Sequence, residues 1–433
     1  MTPRLPFLAC LLFFTGMVAS AQNNVAADHD AELRFVVYVS RHGVRSPTGK
    51  SAQYNLYSSA PWPKWEVEPG YLTSHGYHLM ELFGAYDRAY LSSEGLFHAQ
   101  GCEDAAQVTI HADSDQRTRE TGKALAQGMF PGCTVSTSFL PEGTNDPLFH
   151  FLPSHTGTLD SALATAAIGG RIGGNATNLA EAYRAQIAAF DTILATCGAP
   201  TPSSKRTSLL DVPALLGPGN GDHLAEYKGP LSVASTLSEN LLLEYTEGMD
   251  TANVGWGCVD AAKLRSLLDL HTAATDYTQR TPAIARTQAS NLLDHILRAL
   301  KQAKTQKPVP GAIAKPNDRA LFLIGHDTNL ENLAGLLRLN WIADGRRDDT
   351  PPGSALVFEL WRHRTSGEYE VRTYFTAQTL EQMRTSKPLT LDSPPERVAV
   401  FIPGCSRADL SCSWSDFSTS MSQAIDPQSV SLQ

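Results

Sequence analysis

Arg34-Phe-Val-Val-Tyr-Val-Ser40 runs directly into Arg41-His-Gly-Val-Arg-Ser-Pro47. Between Arg34 and Ser40 every residue is β-branched or aromatic, with no polar alternation, which is the pattern of a strand buried on both faces. The heptapeptide that follows carries charge, a glycine and a closing proline, so the strand empties into a loop. The same change of character occurs twice more. Arg319-Ala-Leu-Phe-Leu-Ile324 leads into Gly325-His-Asp327, and residues 329–339 then place leucines at 330, 333, 336 and 337, a helical spacing. Val108-Thr-Ile-His111 leads into the polar run Asp113-Ser-Asp-Gln-Arg-Thr-Arg119 and then the helix-favouring Lys123-Ala-Leu-Ala-Gln127. Strand, polar turn, helix is the repeating unit of a parallel α/β sheet, and ligands of such sheets bind just beyond the carboxyl ends of the strands. All three polar turns are expected at such ends.

Residues 356–361 and 369–375 read as a hairpin of late strands, with 398–402 as a further one. From 159 to 279 the character changes to Ala-rich and Leu-rich helical stretches (179–194, 235–245 and 261–270) joined by Gly/Pro/Ser loops, and Gly217-Pro-Gly-Asn-Gly221 reads as a solvent loop. The expected architecture is a large α/β domain with a central mixed, mostly parallel sheet, built from 22–158 and 280–433. A smaller, mostly helical domain is inserted at 159–279.

Arg4 precedes an apolar run from Leu5 to Val18, and Ala19-Ser-Ala21 supplies the small residues of a cleavage site, so 1–21 reads as a signal peptide. A periplasmic or secreted protein follows, with no membrane attachment after cleavage. Seven cysteines less Cys10 leave an even set at 102, 133, 197, 258, 405 and 412, which suits disulfides in an oxidising compartment. None has the spacing of a zinc site. The net charge of −9 argues against nucleic acid and anionic membranes as partners, since a polyanion calls for a broad basic surface. A small anion needs only a few cations in a cleft.

The heptapeptide supplies them. A guanidinium forks onto two phosphate oxygens and keeps its charge at any working pH, so Arg41 and Arg45 suit a phosphate dianion. His42 between them can act as a nucleophile if flanking cations keep it neutral. His326 offers a donor to phosphate, and Asp327 a proton for a leaving alkoxide; bound phosphate would push the Asp327 pKa up by like charge. Arg117 adds a third guanidinium, whereas Arg119, two residues on, points elsewhere on a helix. Each piece also has a plainer reading: solvated loop arginines, an Asp327 helix cap, an Arg117 paired with Glu120 or Glu103. Their joint occurrence at three strand ends favours the functional one.

Arg41-His-Gly-Val-Arg-Ser-Pro47 together with Gly325-His-Asp-Thr-Asn329 resembles the histidine acid phosphatase family, in its bacterial phytase-like branch. The likeness extends to Asp113-Ser-Asp-Gln-Arg-Thr-Arg119, Thr350-Pro-Pro-Gly353 and Gln378-Thr-Leu-Glu-Gln-Met383, and so to nearly the whole mature chain. It implies a transiently phosphorylated His42, phosphate held by Arg41, Arg45, Arg117 and His326, and Asp327 as proton donor, without a metal or other cofactor. The Thr after Asp327 resembles phytases, where glucose-1-phosphatases tend to carry Ser. The implied substrate is therefore phytate or another small phosphorylated compound, with Thr48, Lys50 and Glu239 lining the pocket. Gly49 departs from the family pattern beside Lys50. The resemblance also implies the disulfides Cys102–Cys133 and Cys405–Cys412, which leaves Cys197 for Cys258, and a monomeric enzyme. Alternatives of other kinds are a phosphoglycerate-mutase-like enzyme, which would lack Arg45 and Pro47, and a non-catalytic phosphosugar-binding protein, which would be expected to lose His42 or Asp327. A metal-dependent HD phosphohydrolase would need further ligands on helices.

Overall fold

The computed structural model describes residues 30–154, 160–199 and 205–431. The segment read as a signal peptide lies outside them. Twelve strands occur among the described residues: β1 (Ala31–Arg41), β2 (Val108–Ala112), β3 (Ser136–Ser138), β4 (Leu215–Pro218), β5 (Ala225–Lys228), β6 (Ala320–Gly325), β7 (Ile342–Ala343), β8 (Arg346–Arg347), β9 (Ala355–His363), β10 (Tyr369–Ala377), β11 (Glu396–Ala399) and β12 (Ser411–Ser413). Eight of them form one sheet in the order β11-β10-β9-β1-β6-β2-β3, with β12 also on β10. Strands β1, β6, β2 and β3 pair in parallel. Antiparallel pairing joins β9 to β1 and to β10, and β11 and β12 to β10, so β10 points the same way as β1.

Helices cover both faces, which is why the strand sequences do not alternate apolar with polar. Phe35, Val37, Val39, Leu321 and Leu323 face one cluster, packed under the helices Pro282–Thr305, Asp327–Leu337 and Trp414–Ala424. Their neighbours Val36, Tyr38, Ile110, Phe322 and Ile324 face the other, under Ser74–Ser93 and Gln116–Met129. A strand with both faces covered fixes its register strongly, since a slip of one residue would exchange the two sets.

Helices between 160 and 279 build a third cluster, to which Tyr54, Trp62, Leu380 and Met383 from outside that range also contribute. Its centre is Pro230–Thr246, opened by a proline in its first turn and buried along most of its length. The helix expected over 179–194 is two, Ala176–Ala182 and Arg184–Thr196, meeting at Tyr183. No Gly or Pro marks that break, so apolar spacing ran straight across it. The stretch Gly217–Gly221 is only partly a loop, because Gly217 and Pro218 belong to β4, which pairs antiparallel with β5.

Three disulfides form, Cys102–Cys133, Cys197–Cys258 and Cys405–Cys412. They fit an oxidising compartment. No helix among the described residues is long and apolar enough to cross a membrane.

Burial pushes the carboxyls of Glu244 and Glu331 up to about 8 and that of Glu247 up to about 7. The folded chain therefore holds protons that the unfolded chain releases above the ordinary glutamate pKa of about 4.3. The stability these neutral groups confer is complete below that value and declines as pH rises through 7 and 8. Calorimetric Tm should fall between pH 5 and pH 8; a Tm that climbs over this window would contradict the burial of these acids.

Candidate active site

Sheet register brings three chain segments to one place. Arg41 at the end of β1 pairs with Gly325 at the end of β6, and Ala112 at the end of β2 pairs with Ile324. The next residues, His42, His326 and Asp113, thus leave the sheet side by side. Two backbone bonds continue the ladder past the strand ends, His42 N–H to Gly325 O at 3.0 Å and Asp113 N–H to Ile324 O at 2.9 Å. The heptapeptide is then clamped from above. Gly353 N–H donates to His42 O at 2.9 Å, Gly43 N–H to Thr121 Oγ1 at 2.9 Å and Thr73 N–H to Val44 O at 3.1 Å. Thr73 caps the helix Ser74–Ser93, whose Gly76 lies so close that a Cβ there would sit 2.1 Å from Val44 O.

His42 is buried, and its Nδ1 lies 2.8 Å from Gly43 O. A carbonyl only accepts, so Nδ1 carries the proton and Nε2 holds the lone pair. Burial first, then Arg117, Arg45, Arg41 and His326, push its pKa well below the ordinary 6.5. The ring is a neutral base with one nitrogen available.

Around it stand the three guanidinium groups expected from sequence. Arg41 is fully buried and binds Thr350 O at 2.5 Å, the Glu239 carboxylate, and Asp327 Oδ2 at 3.2 Å. Arg45 donates to Ser46 O at 2.9 Å and lies 3.9 Å from Glu239 Oε1. Burial, and the charges of Arg41 and Arg117 against that of Glu239, lower its pKa to about 10, still cationic in acid. Arg117 pairs with Asp115 at 2.6 Å, rather than with Glu120 or Glu103, and reaches His326 Nδ1 at 3.4 Å. The Nε–H groups of all three arginines are buried with no partner among the described residues. Buried donors without acceptors are costly, so this set is arranged for an anion.

His326 donates from Nε2 to Asp113 Oδ2 at 2.7 Å, and its ring stands edge-on to His42 with centroids 5.6 Å apart. It is itself the N-cap of the helix Asp327–Leu337, so the cap is not Asp327. Asp327 is about a quarter exposed, at 23% for its side chain. Burial would raise its pKa, but Arg41, His271 and Arg45 together hold it well below the usual carboxylate range. The unliganded site therefore holds Asp327 as an anion paired with Arg41. Retaining a proton requires a bound phosphate to engage Arg41 and add its own negative charge.

Glu239, read from sequence as a pocket residue, holds Arg41 and approaches Arg45, and its Oε2 lies 3.9 Å from His271 Nε2. An acid so placed orients the guanidinium groups. Thr48 is exposed at the rim near Gly70, the residue whose carbonyl faces Arg117 at 3.5 Å. Lys50 is exposed at the start of the short helix Ser51–Tyr54, and among the described residues no hydrogen bond or ion pair ties its ammonium to the cluster. Arg119 points away, paired with Glu142 and stacked over Phe139. Sequence reasoning missed Asp113, Asp115, His150, His271 and Thr350. Asp113 and Asp115 lay in a motif already noted; His150 and His271 carry no local signal.

The sequence model of the histidine phosphatase superfamily (branch 2) matches residues 32–376. The chain belongs to that family. It is 36% identical over 432 residues to phytase AppA of Escherichia coli (strain K12), covering 98% of each chain. It is 27% identical to a glucose-1-phosphatase of Providencia rettgeri, over 92% of this chain and 93% of that one. Among solved structures, Hafnia alvei phytase in complex with tartrate superposes with a TM-score of 0.85 at 34% identity, covering 94% of this chain and all of that one. The chain is thus a histidine phosphatase, a hydrolase of phosphomonoesters.

With four cations or donors around it, the His42 ring should resist protonation. A histidine 15N NMR titration is expected to put its midpoint below 6.5, with Nδ1 as the protonated nitrogen; a midpoint above 6.5 would contradict the site electrostatics.

Proposed function

We propose that this protein is an acid phosphatase of the phytase type, which cleaves phosphate esters in two steps through a phosphohistidine at His42. The observation that carries the reading is a neutral, buried imidazole whose Nε2 holds the lone pair, inside three guanidinium groups whose Nε donors lack partners among the described residues. Arg41, Arg45 and Arg117 bind the equatorial oxygens and lower the cost of bringing a nucleophile to a dianion. His42 Nε2 forms the N–P bond as the ester P–O bond breaks. The leaving oxygen takes its proton from Asp327, whose pKa rises once phosphate engages Arg41. In the second step water attacks phosphorus, the N–P bond breaks, and the Asp327 carboxylate receives the proton from water. His326, held by Asp113 through Nε2–H, turns its Nδ1 lone pair to the Arg117 guanidinium, and it donates to a phosphate oxygen only when Nδ1 is protonated as well. Glu239 sets the guanidinium geometry, and Thr48 and Lys50 at the rim are available to a bulky polyphosphorylated substrate.

Phytate is the substrate this reading favours, on the strength of His-Asp-Thr at 326–328 and the likeness to phytases over nearly the whole chain. Glucose 1-phosphate is the second reading, supported by the more distant glucose-1-phosphatase relative. The signal-like leader and three disulfides support work in the periplasm or outside the cell.

His42→Ala should fold and lose phosphatase activity, and retained activity would sink the nucleophile assignment. Asp327→Asn should lower kcat on alkyl phosphates by roughly 100-fold or more and on an aryl phosphate much less, because a good leaving group needs little protonation. Equal losses on both would remove Asp327 as the acid. For the substrate, kcat/KM in acid should favour phytate over glucose 1-phosphate; the reverse order would favour the second reading.

A further inference from the structure

A hydrogen-bonded chain leads from the phosphate site to the hairpin of the inserted helical region. His326 Nε2 meets Asp113 Oδ2 at 2.7 Å, and the same oxygen receives His150 Nε2 at 2.8 Å. His150 Nδ1 lies 3.2 Å from Asp222 Oδ1, in the turn between β4 and β5. We propose that His150, held between Asp222 and Asp113, is a positioning residue of the phosphatase, fixing the carboxylate that orients His326. The inference rests on the phosphatase reading of the site.

Both ring nitrogens of His150 face carboxylate oxygens, and carboxylates only accept, so both nitrogens donate and the ring is an imidazolium. Burial would lower its pKa, but the bonds to Asp113 and Asp222 raise it to about 10. Asp113 is fully buried and anionic; burial opposes its charge, but the bonds from His150 and His326 hold its pKa well below the usual range. A buried carboxylate with a single donor could rotate and would give its whole field to that donor. With His150 in place, Asp113 is clamped between two imidazoles, and the positive charge of His150 offsets its pull on His326. His326 then keeps its proton on Nε2 and turns its Nδ1 lone pair toward Nη2 of Arg117, 3.4 Å away, which steadies one guanidinium of the phosphate site.

Asp113, Asp115, His150 and His326 also have the make-up of a cation site. The two short hydrogen bonds and the raised His150 pKa favour protons over a metal there, because a cation would have to expel protons that are firmly held in acid. The charged and titratable groups facing His326 are Asp113 and Asp115 from the turn after β2, Arg117 from the helix that follows, His42 after β1, Asp327 next in the chain, and His150 with Asp222 behind it.

The test compares His150→Phe, which removes both bonds, with His150→Gln, whose amide N–H can replace the Nε2–H bond without the charge. In a histidine 15N NMR titration the His326 midpoint should move to higher pH in both variants, since the opposing charge is gone. The kcat on a phosphomonoester should fall on the order of 10-fold in the Phe variant, with KM changing less, and Gln should recover most of that loss. An unmoved His326 midpoint in both variants would reduce His150 to a packing residue and overturn the proposal. Should the Phe variant fail to fold, the Gln titration decides alone. Loss of wild-type activity to a chelator, restored by zinc, would replace the proton-held chain with a cation on the same side chains. A wild-type protein inert toward every phosphomonoester would fail the phosphatase reading, while the titration would still judge the role of His150.

Discussion

Three guanidinium groups crowded around one buried imidazole form the arrangement on which everything else in this structure depends. Like charges at such spacing repel strongly in a low-dielectric interior, and each carries a desolvation penalty of several kcal/mol. The protein offsets part of this with Glu239, Asp327, Asp115 and the carbonyl of Thr350, and leaves the buried Nε–H of each arginine without an acceptor among the described residues. The residual positive field attracts a phosphate dianion and, added to the larger effect of burial, holds the His42 pKa well below 6.5, where a free imidazole would already be charged and useless as a nucleophile. One field thus serves binding and nucleophile activation. The acidity of Asp327 is tied to the same field, because its guanidinium partner is also the phosphate's.

Such a cluster persists only on a rigid base. The sheet supplies it through two parallel pairings that end at Arg41 opposite Gly325 and Ala112 opposite Ile324, with apolar layers on both faces fixing the register. Breaking one partner out of a buried ionic set typically costs roughly 3–5 kcal/mol. The sheet and its covering helices must provide stability enough to hold the set together. The stretch 160–279 contributes as well, since Glu239 sits on the helix Pro230–Thr246 and Asp222 in the turn between β4 and β5.

Much of this was legible in the sequence. Strands β1 and β6 announced themselves because each carries an unbroken apolar run buried on both faces, and β2 by the short β-branched Val108-Thr-Ile110 ahead of a polar turn. The chemistry sat directly after them because the carboxyl ends of parallel strands are where ligands bind. Arg117 separated from Arg119 on helical geometry alone. What stayed hidden depends on distance in space without a local pattern. His150 is a single polar residue after Asp146-Pro-Leu-Phe149, and His271 sits in an ordinary Leu-rich helix. Their positions become meaningful only when the fold lays them against Asp113 and Glu239. The pairing that keeps Asp327 anionic in the unliganded site was hidden for a related reason. Its neighbour in sequence is a histidine, whereas its partner in space is Arg41, 286 residues away along the chain.

The central claim is that His42 becomes phosphorylated, and the hydrogen bond from Nδ1 to Gly43 O specifies which nitrogen. Rapid quench of the enzyme with substrate, followed by peptide mapping under conditions that preserve phosphoramidates and by 31P NMR of the trapped species, reads this directly. The account predicts a single phosphohistidine at His42, with phosphorus on Nε2, that forms before the first turnover is complete. Phosphate on Nδ1, on another residue, or no phosphoenzyme at all during rapid turnover would contradict it.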